Sequence, residues 1–272
     1  MNRISQTFDT LKSQGKTALI PYITAGDPRP NATVSLMHLL VEKGADMIEL
    51  GVPFSDPMAD GPVIQKAVER ALAHNVSMND VFEMVREFRE KNTETPVILM
   101  GYLNPVERMG FENFANAASS VGIDGILTVD MPPQESMGYF EAMQSHNLER
   151  IFLVSPTTPL TRLEAVNEKG SGFAYYVSLK GVTGTKEVDA DDVAIQMKRL
   201  SNHIDLPVGI GFGIRDGEAA AKMAKLGDAV IVGSVLVSLI EARAEQDLYE
   251  IELALGEKMS ELRHAIDRAD AE

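Results

Sequence analysis

The chain has 272 residues, of which 44% are hydrophobic, and its 25 Lys and Arg residues against 40 Asp and Glu residues give a formal net charge of −15 at pH 7. This charge disfavours nucleic acid and anionic membrane surfaces as partners, because both carry negative charge themselves. No apolar run reaches the roughly 18 residues that a membrane-spanning helix needs, the N-terminus lacks the features of a secretory signal and the sequence contains no cysteine, so we expect a soluble, cytoplasmic protein.

Eight short apolar runs alternate with longer amphipathic stretches along the chain. Continuous apolarity is typical of parallel strands that are covered on both faces, and the intervening helices supply the crossover connections. The pattern predicts an α/β fold, a single-domain (βα)₈ TIM barrel with extra helices over residues 1–272. An open doubly wound sheet is disfavoured, since it usually has fewer strands and would need a Gly-x-Gly-x-x-Gly turn to bind a dinucleotide. The predicted strands are residues 18–24, 47–51, 97–101, 124–128, 150–154, 173–178, 207–211 and 229–233.

The ends of the helices are predicted from residue type. Ser77 and Asp80 form a predicted capping pair ahead of a helix whose apolar residues repeat on one face. Residues 241–272 are predicted to form closing helices on the outside of the barrel. Three helices are expected to stop at a glycine that is followed by an aspartate just before the next strand, namely Gly44 with Asp46, Gly122 with Asp124 and Gly227 with Asp228.

Two carboxylates bracket the loop that follows the second predicted strand. Glu49 ends that strand, and Asp60, eleven positions later, ends a loop that is stiffened by Pro53, Pro57 and Pro62. Because catalytic groups of such barrels gather at the carboxyl ends of the strands, we expect both acids to act on one small molecule as proton donors or acceptors. The alternatives are a structural carboxylate for Glu49 and a helix N-cap for Asp60.

Glycine-bearing turns follow the last two strands. Gly209, Gly211 and Gly213 come after the seventh strand, and Gly233 with Ser234 comes after the eighth. In barrels of this type these two loops and a short extra helix, here residues 235–243, frequently bind phosphate. The long polar loop 178–186 is expected to act as a lid on the substrate. The alternative for the two glycine-bearing segments is that they are merely tight turns, and the alternative for residues 178–186 is a surface loop without a function.

The types and positions of the histidines and of Lys180 disfavour two other catalytic mechanisms. A histidine-ligated metal is disfavoured, because the five histidines all fall in or at the ends of predicted outer helices. Lys180 lies in a polar loop that offers little burial to lower its pKa for Schiff-base chemistry. Proton transfer by carboxylates on a phosphorylated substrate is therefore expected, and both an isomerase and a lyase fit this description. The histidines are His38, His74, His146, His203 and His264.

Six segments, taken together and in this order, resemble the alpha subunit of tryptophan synthase over essentially the full chain. The resemblance implies cleavage of indole-3-glycerol phosphate to indole and glyceraldehyde 3-phosphate in tryptophan biosynthesis. This is a retro-aldol reaction that needs neither a metal nor an organic cofactor. The segments are residues 21–28 (PYITAGDP), 49–62 (ELGVPFSDPMADGP), 101–105 (GYLNP), 130–133 (DMPP), 181–184 (GVTG) and 211–213 (GFG).

The resemblance also implies roles for individual residues. Glu49 would donate a proton to C3 of the indole and accept one from the side-chain hydroxyl, for which its pKa should be raised by an apolar pocket. Asp60 would accept a hydrogen bond from the indole N–H, and Thr183 would close with the lid and meet Asp60. Tyr175 would support catalysis, with filling of the barrel interior as the alternative.

The substrate-binding residues and the partner are implied in the same way. The phosphate would bind to N–H groups of Gly184, Gly213, Gly233 and Ser234, and the indole would be enclosed by Tyr22, Met100, Leu127 and Phe212. Tyr22 and Met100 replace the Phe and Leu expected in many relatives.

A beta subunit that carries pyridoxal phosphate is the implied partner, in an assembly of two alpha and two beta chains. The residues that would face this partner are Pro53, Asp56, Asn104 and Pro132. Three rivals are left open: a phosphosugar isomerase, a Schiff-base aldolase that uses Lys180, and a catalytically silent binding subunit.

Overall fold

Eight parallel strands close into a barrel in the computed structural model of the protein, which describes residues 2–135, 137–177 and 190–272. The strands follow one another around the barrel in chain order, and β8 pairs with β1. The predicted (βα)₈ barrel is confirmed, and each strand lies close to its predicted position. The strands are β1 (Ala18–Thr24), β2 (Ile48–Gly51), β3 (Val97–Gly101), β4 (Gly125–Thr128), β5 (Glu149–Val154), β6 (Ala174–Tyr176), β7 (Val208–Ile210) and β8 (Ala229–Val232).

Helices surround the barrel and close its amino end. Within the described residues, no helix combines the length and the apolar character that crossing a lipid bilayer requires. The predicted capping pair is confirmed, since the Ser77 side chain accepts from the Asp80 N–H and the Asp80 carboxylate accepts from the Ser77 N–H. The helices are α1 (Arg3–Gln14), α2 (Thr33–Glu42), α3 (Pro62–Ala73), α4 (Met78–Arg89), α5 (Leu103–Met109), α6 (Phe111–Ser120), α7 (Met137–Ser145), α8 (Leu160–Lys169), α9 (Ala190–Leu200), α10 (Gly217–Ala224), α11 (Ser234–Glu241) and α12 (Leu248–Asp270).

Helix α1 seals the amino end of the barrel. Its apolar face carries Ile4, Phe8 and Leu11, which pack against inward-facing side chains of the strands. The Phe8 ring lies 5.7 Å from the ring of Phe173, which precedes β6. The Asn2 side chain caps α1 by accepting from the Ile4 N–H. Since the amino end is closed, a ligand has to reach the barrel from the opposite end.

The apolar core has two layers. One fills the barrel, and the other lies between the strands and the surrounding helices. Strand residues therefore contact apolar groups on both sides, which explains why the strands read as continuous apolar runs. The inner layer includes Ile20, Met47, Ile98, Leu127, Ile151, Tyr175 and Ile231.

Three aspartates join neighbouring strands at the amino end. Each lies just before a strand and accepts a hydrogen bond from a backbone N–H at or near the start of the preceding strand. The Asp46 carboxylate binds Leu19 at 2.8 Å, Asp124 binds Val97 at 2.9 Å and Asp228 binds Val208 at 2.8 Å. The recurring glycine and aspartate pairs of the sequence thus mark a repeated connection between strands.

The helix-stop interpretation holds for two of the three glycines. Gly44 and Gly122 follow helices and adopt left-handed backbone angles, with φ of 95° and 89°. Gly227 does not stop its helix, because α10 ends at Ala224 and Lys225 is its C-cap. A side chain at position 227 would instead meet Ile210, with Cβ 2.9 Å from Cδ1. Close packing against β7, and not helix termination, accounts for Gly227.

Candidate active site

A cavity of about 620 Å³ opens at the carboxyl ends of the strands. This volume suits a small-molecule ligand. The two predicted carboxylates, Glu49 and Asp60, both line it, so the structure brings them into one site. Among the residues that the structure describes, nine of the predicted catalytic and substrate-binding residues line the cavity, namely Tyr22, Glu49, Asp60, Met100, Tyr175, Phe212, Gly213, Gly233 and Ser234.

Glu49 projects from β2 into the barrel, in register with Tyr22 of β1. The residue is 2% exposed, and its Oε1 atom has no hydrogen-bond partner among the residues that the structure describes. Burial, followed by the negative charge of Asp60, raises the pKa of Glu49 to about 8. A structural carboxylate normally has its hydrogen bonds satisfied. The geometry therefore favours a carboxyl group that exchanges a proton near neutral pH.

Asp60 does not cap the helix that follows it. Helix α3 begins at Pro62, and its N-cap is Gly61, without a side-chain hydrogen bond. Asp60 instead lines the cavity, and its Oδ2 atom accepts a hydrogen bond from the Tyr102 hydroxyl at 3.1 Å. Burial raises the pKa of Asp60, and the hydrogen bond from Tyr102 opposes this increase. The N-cap alternative for Asp60 is therefore wrong.

Tyr102 is a residue of the site that sequence reasoning missed. It lies 4% exposed at the end of β3, and its hydroxyl accepts from the Ala59 N–H at 3.0 Å as well as donating to Asp60. The segment 101–105 was singled out in the sequence, but nothing in it indicates a contact with a carboxylate 42 positions earlier. Arg215 and Ser238 also line the cavity and were not predicted.

Two tyrosines form walls of the cavity, and each packs against a glycine. Tyr22 is 6% exposed, and its hydroxyl shares a hydrogen bond of 3.1 Å with the Thr24 hydroxyl. A side chain at position 51 would collide with the Tyr22 hydroxyl, so Gly51 is required beside it.

Tyr175 stands in the same relation to Gly211, where a side chain would collide with its ring. The Tyr175 ring also stacks on Phe173, with the ring centroids 6.3 Å apart. It belongs to the barrel interior and lines the cavity at the same time. Burial and the nearby Glu49 carboxylate raise the pKa of Tyr175, so the phenol is neutral. Both interpretations of Tyr175 are compatible with this position.

One end of the cavity is formed by the amino end of a helix. The predicted extra helix is confirmed as α11, which begins at Ser234 behind the N-cap Gly233 and has no acidic residue in its first turn. Gly233, Ser234 and Ser238 all line the cavity, with Gly213 in the loop after β7. N–H groups and the helix dipole at such an end attract anions. This end of the cavity is suited to a phosphate group.

Some predicted residues are not part of this lining. Leu127 is fully buried inside the barrel, paired with Met100 of β3, and does not reach the described wall of the cavity. Thr183, Gly184 and Lys180 belong to residues 178–189, which lie outside the described residues.

The four predicted partner-facing residues follow β2, β3 and β4, at the same end of the barrel as the cavity. Asp56 and Asn104 are exposed, Pro132 is partly exposed and Pro53 is buried. Because the three strands are neighbours, their loops are adjacent. Met58, in the first of these loops, has an exposed fraction of 79%.

Comparison with known proteins identifies the family. The family model for the tryptophan synthase alpha chain matches residues 8–266. The tryptophan synthase alpha chain of Hydrogenovibrio crunogenus is 66% identical over 272 residues, which is 100% of both chains, and that of Thioalkalivibrio sulfidiphilus is 55% identical over 98% of this chain and 100% of its own. The crystal structure of tryptophan synthase subunit alpha from Legionella pneumophila superposes with a TM-score of 0.92 at 48% identity, covering 98% of this chain and 99% of that one. The chain therefore belongs to the tryptophan synthase alpha chain family, the lyases that cleave indole-3-glycerol phosphate to indole and glyceraldehyde 3-phosphate.

Proposed function

We propose that Glu49 and Asp60 carry out the carbon–carbon cleavage that defines this family. The chain is a lyase of tryptophan biosynthesis, and the open question is which of its residues perform each step. The observation that supports the assignment is the presence, in one cavity, of a buried carboxyl group with a raised pKa, a second carboxylate and a helix amino end. These three features correspond to the three parts of the substrate.

Glu49 performs the two proton transfers. As an acid, it donates its proton to C3 of the indole ring, which makes the ring an electron acceptor. It then accepts the proton of the hydroxyl on the carbon attached to C3. The bond between these carbons breaks, its electrons restore the aromatic ring, and the hydroxyl carbon becomes the aldehyde of glyceraldehyde 3-phosphate. A pKa of about 8 suits both transfers, because the protonated and ionised forms are both accessible near neutral pH.

Asp60 stabilises the charge that develops on the ring. Protonation at C3 places positive charge on the indole nitrogen, and an ionised carboxylate at that N–H lowers the energy of this intermediate. The hydrogen bond from Tyr102 favours the ionised form of Asp60. Tyr175 lies beside the reacting groups as a neutral phenol and supports the proton transfers at Glu49.

The two ends of the substrate occupy the two ends of the cavity. Main-chain N–H groups of Gly213, Gly233 and Ser234 bind the phosphate at the start of α11. Tyr22, Met100 and Phe212 surround the indole. Thr183 and Gly184 are assigned to the lid and the phosphate site by the family resemblance alone.

No metal and no organic cofactor takes part in this proposal, because Glu49 supplies the acid and the base and Asp60 supplies the counter-charge. Pyridoxal phosphate belongs to the beta subunit, with which the chain pairs in an α₂β₂ complex. The loops that carry Pro53, Asp56, Asn104 and Pro132 form the surface that we assign to this contact. Their position beside the cavity supports the assignment, since binding there would favour an ordered site.

We also propose that residues 1–272 form one domain and that the enzyme works in the cytoplasm. Helix α12, near the end of the chain, packs against α2, α10 and α11, which ties the two halves of the chain together. A cytoplasmic location fits a substrate that carries a phosphate, because such metabolites do not cross membranes freely. Unfolding in one transition and fractionation of cells would test these two statements.

The assay that tests the site is release of indole from indole-3-glycerol phosphate, with and without a beta subunit. Asp60→Asn should reduce turnover at least about a hundredfold, the scale of one lost charged group in a transition state, and leave the fold intact. Asp9→Asn, at an exposed aspartate of α1, is the matched control and should retain full turnover. Unchanged turnover in Asp60→Asn would remove this residue from the mechanism.

A further inference from the structure

Tyr102 connects the end of β3 to the loop that carries Asp60. We propose that Tyr102 is a positioning residue for Asp60, with its hydroxyl fixing the carboxylate in the orientation that binds the indole N–H. The inference rests on the role proposed above for Asp60. It concerns a residue that does not line the cavity in the described part of the chain and acts only through its neighbour.

The tyrosine is held by the barrel and not by the loop that it contacts. It directly follows β3 and is the N-cap of α5. The next residue, Leu103, donates its N–H to the Asp130 carboxylate at 2.7 Å, which fixes the backbone at this point. The side chain is 4% exposed, so its ring has little freedom to move. Tyr102 is therefore a rigid support for the more irregular loop between β2 and α3.

The hydroxyl has both of its hydrogen-bonding functions in use. It accepts from the Ala59 N–H at 3.0 Å and donates to Asp60 Oδ2 at 3.1 Å. Because an N–H already points at the phenol oxygen, the phenol proton is directed toward the carboxylate. Oδ2 of Asp60 is thereby engaged, and Oδ1 can accept from the substrate. The same hydroxyl thus fixes the loop backbone and the carboxylate together.

The loop is also held by an aromatic contact. The Phe54 ring lies 5.4 Å from the Tyr102 ring, with an angle of 32° between the ring planes. Residues 54 and 59 therefore meet the same tyrosine from two points of the loop.

Among the described residues, the groups that interact with Asp60 are mostly acidic or neutral. Tyr102 is the group whose hydrogen bond lowers the pKa of Asp60 against the effect of burial. Asp60 also interacts electrostatically with Glu49, Tyr22 and Tyr175. Asp130 interacts in the same way with Tyr102. Arg215 lines the same cavity. Loss of the phenol hydrogen bond should thus favour protonation of Asp60.

The test is Tyr102→Phe in the full chain with its beta subunit, which removes one oxygen and keeps the ring. We expect kcat/KM to fall about tenfold, mainly through kcat, since a hydrogen bond to a charged group has an effect of this size. The acid limb of the pH profile should move to higher pH, because Asp60 must be ionised to act and its pKa rises. Tyr139→Phe is the control, as Tyr139 is another buried tyrosine whose hydroxyl shares a hydrogen bond with Thr128. It should leave kcat and the acid limb unchanged.

Two further measurements separate positioning from folding. In the Asp60→Asn background, Tyr102→Phe should change turnover by less than about threefold, because the two residues act as a unit. Site-specific 3-fluorotyrosine at position 102 keeps the fold, has a more acidic phenol and should move the acid limb to lower pH. An unchanged acid limb in both Tyr102 variants would overturn the proposal. If Asp60→Asn is slow while Tyr102→Phe is normal, the role of Asp60 stands and that of Tyr102 is rejected.

Discussion

Buried carboxyl groups at the two ends of the barrel differ in their hydrogen-bond and ion-pair partners. At the amino end, Asp124 is 3% exposed and is satisfied by the Val97 N–H and by the guanidinium groups of Arg3 and Arg89, at 2.6 and 2.8 Å. At the carboxyl end, Glu49 is equally buried, but its Oε1 atom has no partner among the described residues. Both environments desolvate the carboxyl group and raise its pKa, but of these two carboxylates only Asp124 forms ion pairs with described residues.

The paired carboxylate at the amino end is suited to stabilising the fold, and the carboxyl group at the other end, unpaired among the described residues, is suited to catalysis. A buried charge with ion-pair and N–H partners holds elements together, and removing one member of such a cluster is costly. A buried carboxyl group without partners destabilises the folded state when it ionises, and this same property makes it a proton donor near neutral pH. The comparison predicts that substitutions at the two ends have opposite consequences.

The largest effect is expected for Glu49→Gln. Turnover should fall at least about a hundredfold, since the glutamine side chain cannot donate and recover a proton. Stability should behave differently. The folded-state pKa of Glu49, about 8, lies above the ordinary value of 4.5, so the folded protein loses stability as pH rises from 4.5 through 8. Glutamine has no proton to lose, and the variant should equal the wild type at pH 4 and exceed it at pH 8 and above.

The indole assay measures the loss of turnover, and urea unfolding at both pH values measures the gain in stability. Glu149→Gln is the matched control, because Glu149 lies at the start of β5, where it accepts from the Ser5 hydroxyl. The control should keep normal turnover and gain no stability at high pH. Lower stability of Glu49→Gln at pH 8 would indicate that Glu49 has a structural role after all.

The next effect in size is expected for Asp124→Ala. The substitution leaves Arg89, whose side chain is 10% exposed, without its ion-pair partner and leaves the Val97 N–H without an acceptor. We expect the free energy of unfolding to fall by about 3 kcal/mol, the lower end for breaking a buried ion pair. Turnover per folded molecule should be normal, because the cavity lies at the other end of the barrel. A loss of stability below about 1 kcal/mol, or a loss of turnover in folded protein, would contradict the comparison.

The sequence predicted the barrel, the two carboxylates and the glycine-bearing turns for physical reasons, whereas the family resemblance supplied the other candidate residues of the site. Strands covered on both faces have to be apolar throughout, so the eight strands were visible as apolar runs. Glu49 was conspicuous because a charged residue at the end of an apolar strand needs a partner or a task. The Ser77 capping box depends on neighbouring residues only, and it was also correct.

The missed features depend on distances that a sequence does not contain. Tyr102 meets Asp60 because β2 and β3 are paired in one particular register, and no local pattern encodes this contact. Leu127 was assigned to the indole site by the family resemblance alone; it packs inside the barrel and is not among the described residues that line the cavity. The N-cap alternative for Asp60 depended on a single position, since α3 is capped by Gly61.

The smallest effect is expected for Asp228→Asn, which tests whether the amino-end aspartates act through charge or through hydrogen-bond geometry. Asp228 accepts from the Val208 N–H at 2.8 Å, and its backbone carbonyl accepts from the Ala18 N–H at 3.0 Å, so it joins β7, β8 and β1. Asparagine keeps an acceptor oxygen for Val208, and the free energy of unfolding should fall by less than about 1 kcal/mol. Asp228→Ala removes the acceptor and should cost about 1–3 kcal/mol, because the Val208 N–H is then buried without a partner. Equal losses in both variants, measured by urea unfolding, would show that the charge matters here as well, and that the connections at the amino end depend on electrostatics more than on geometry.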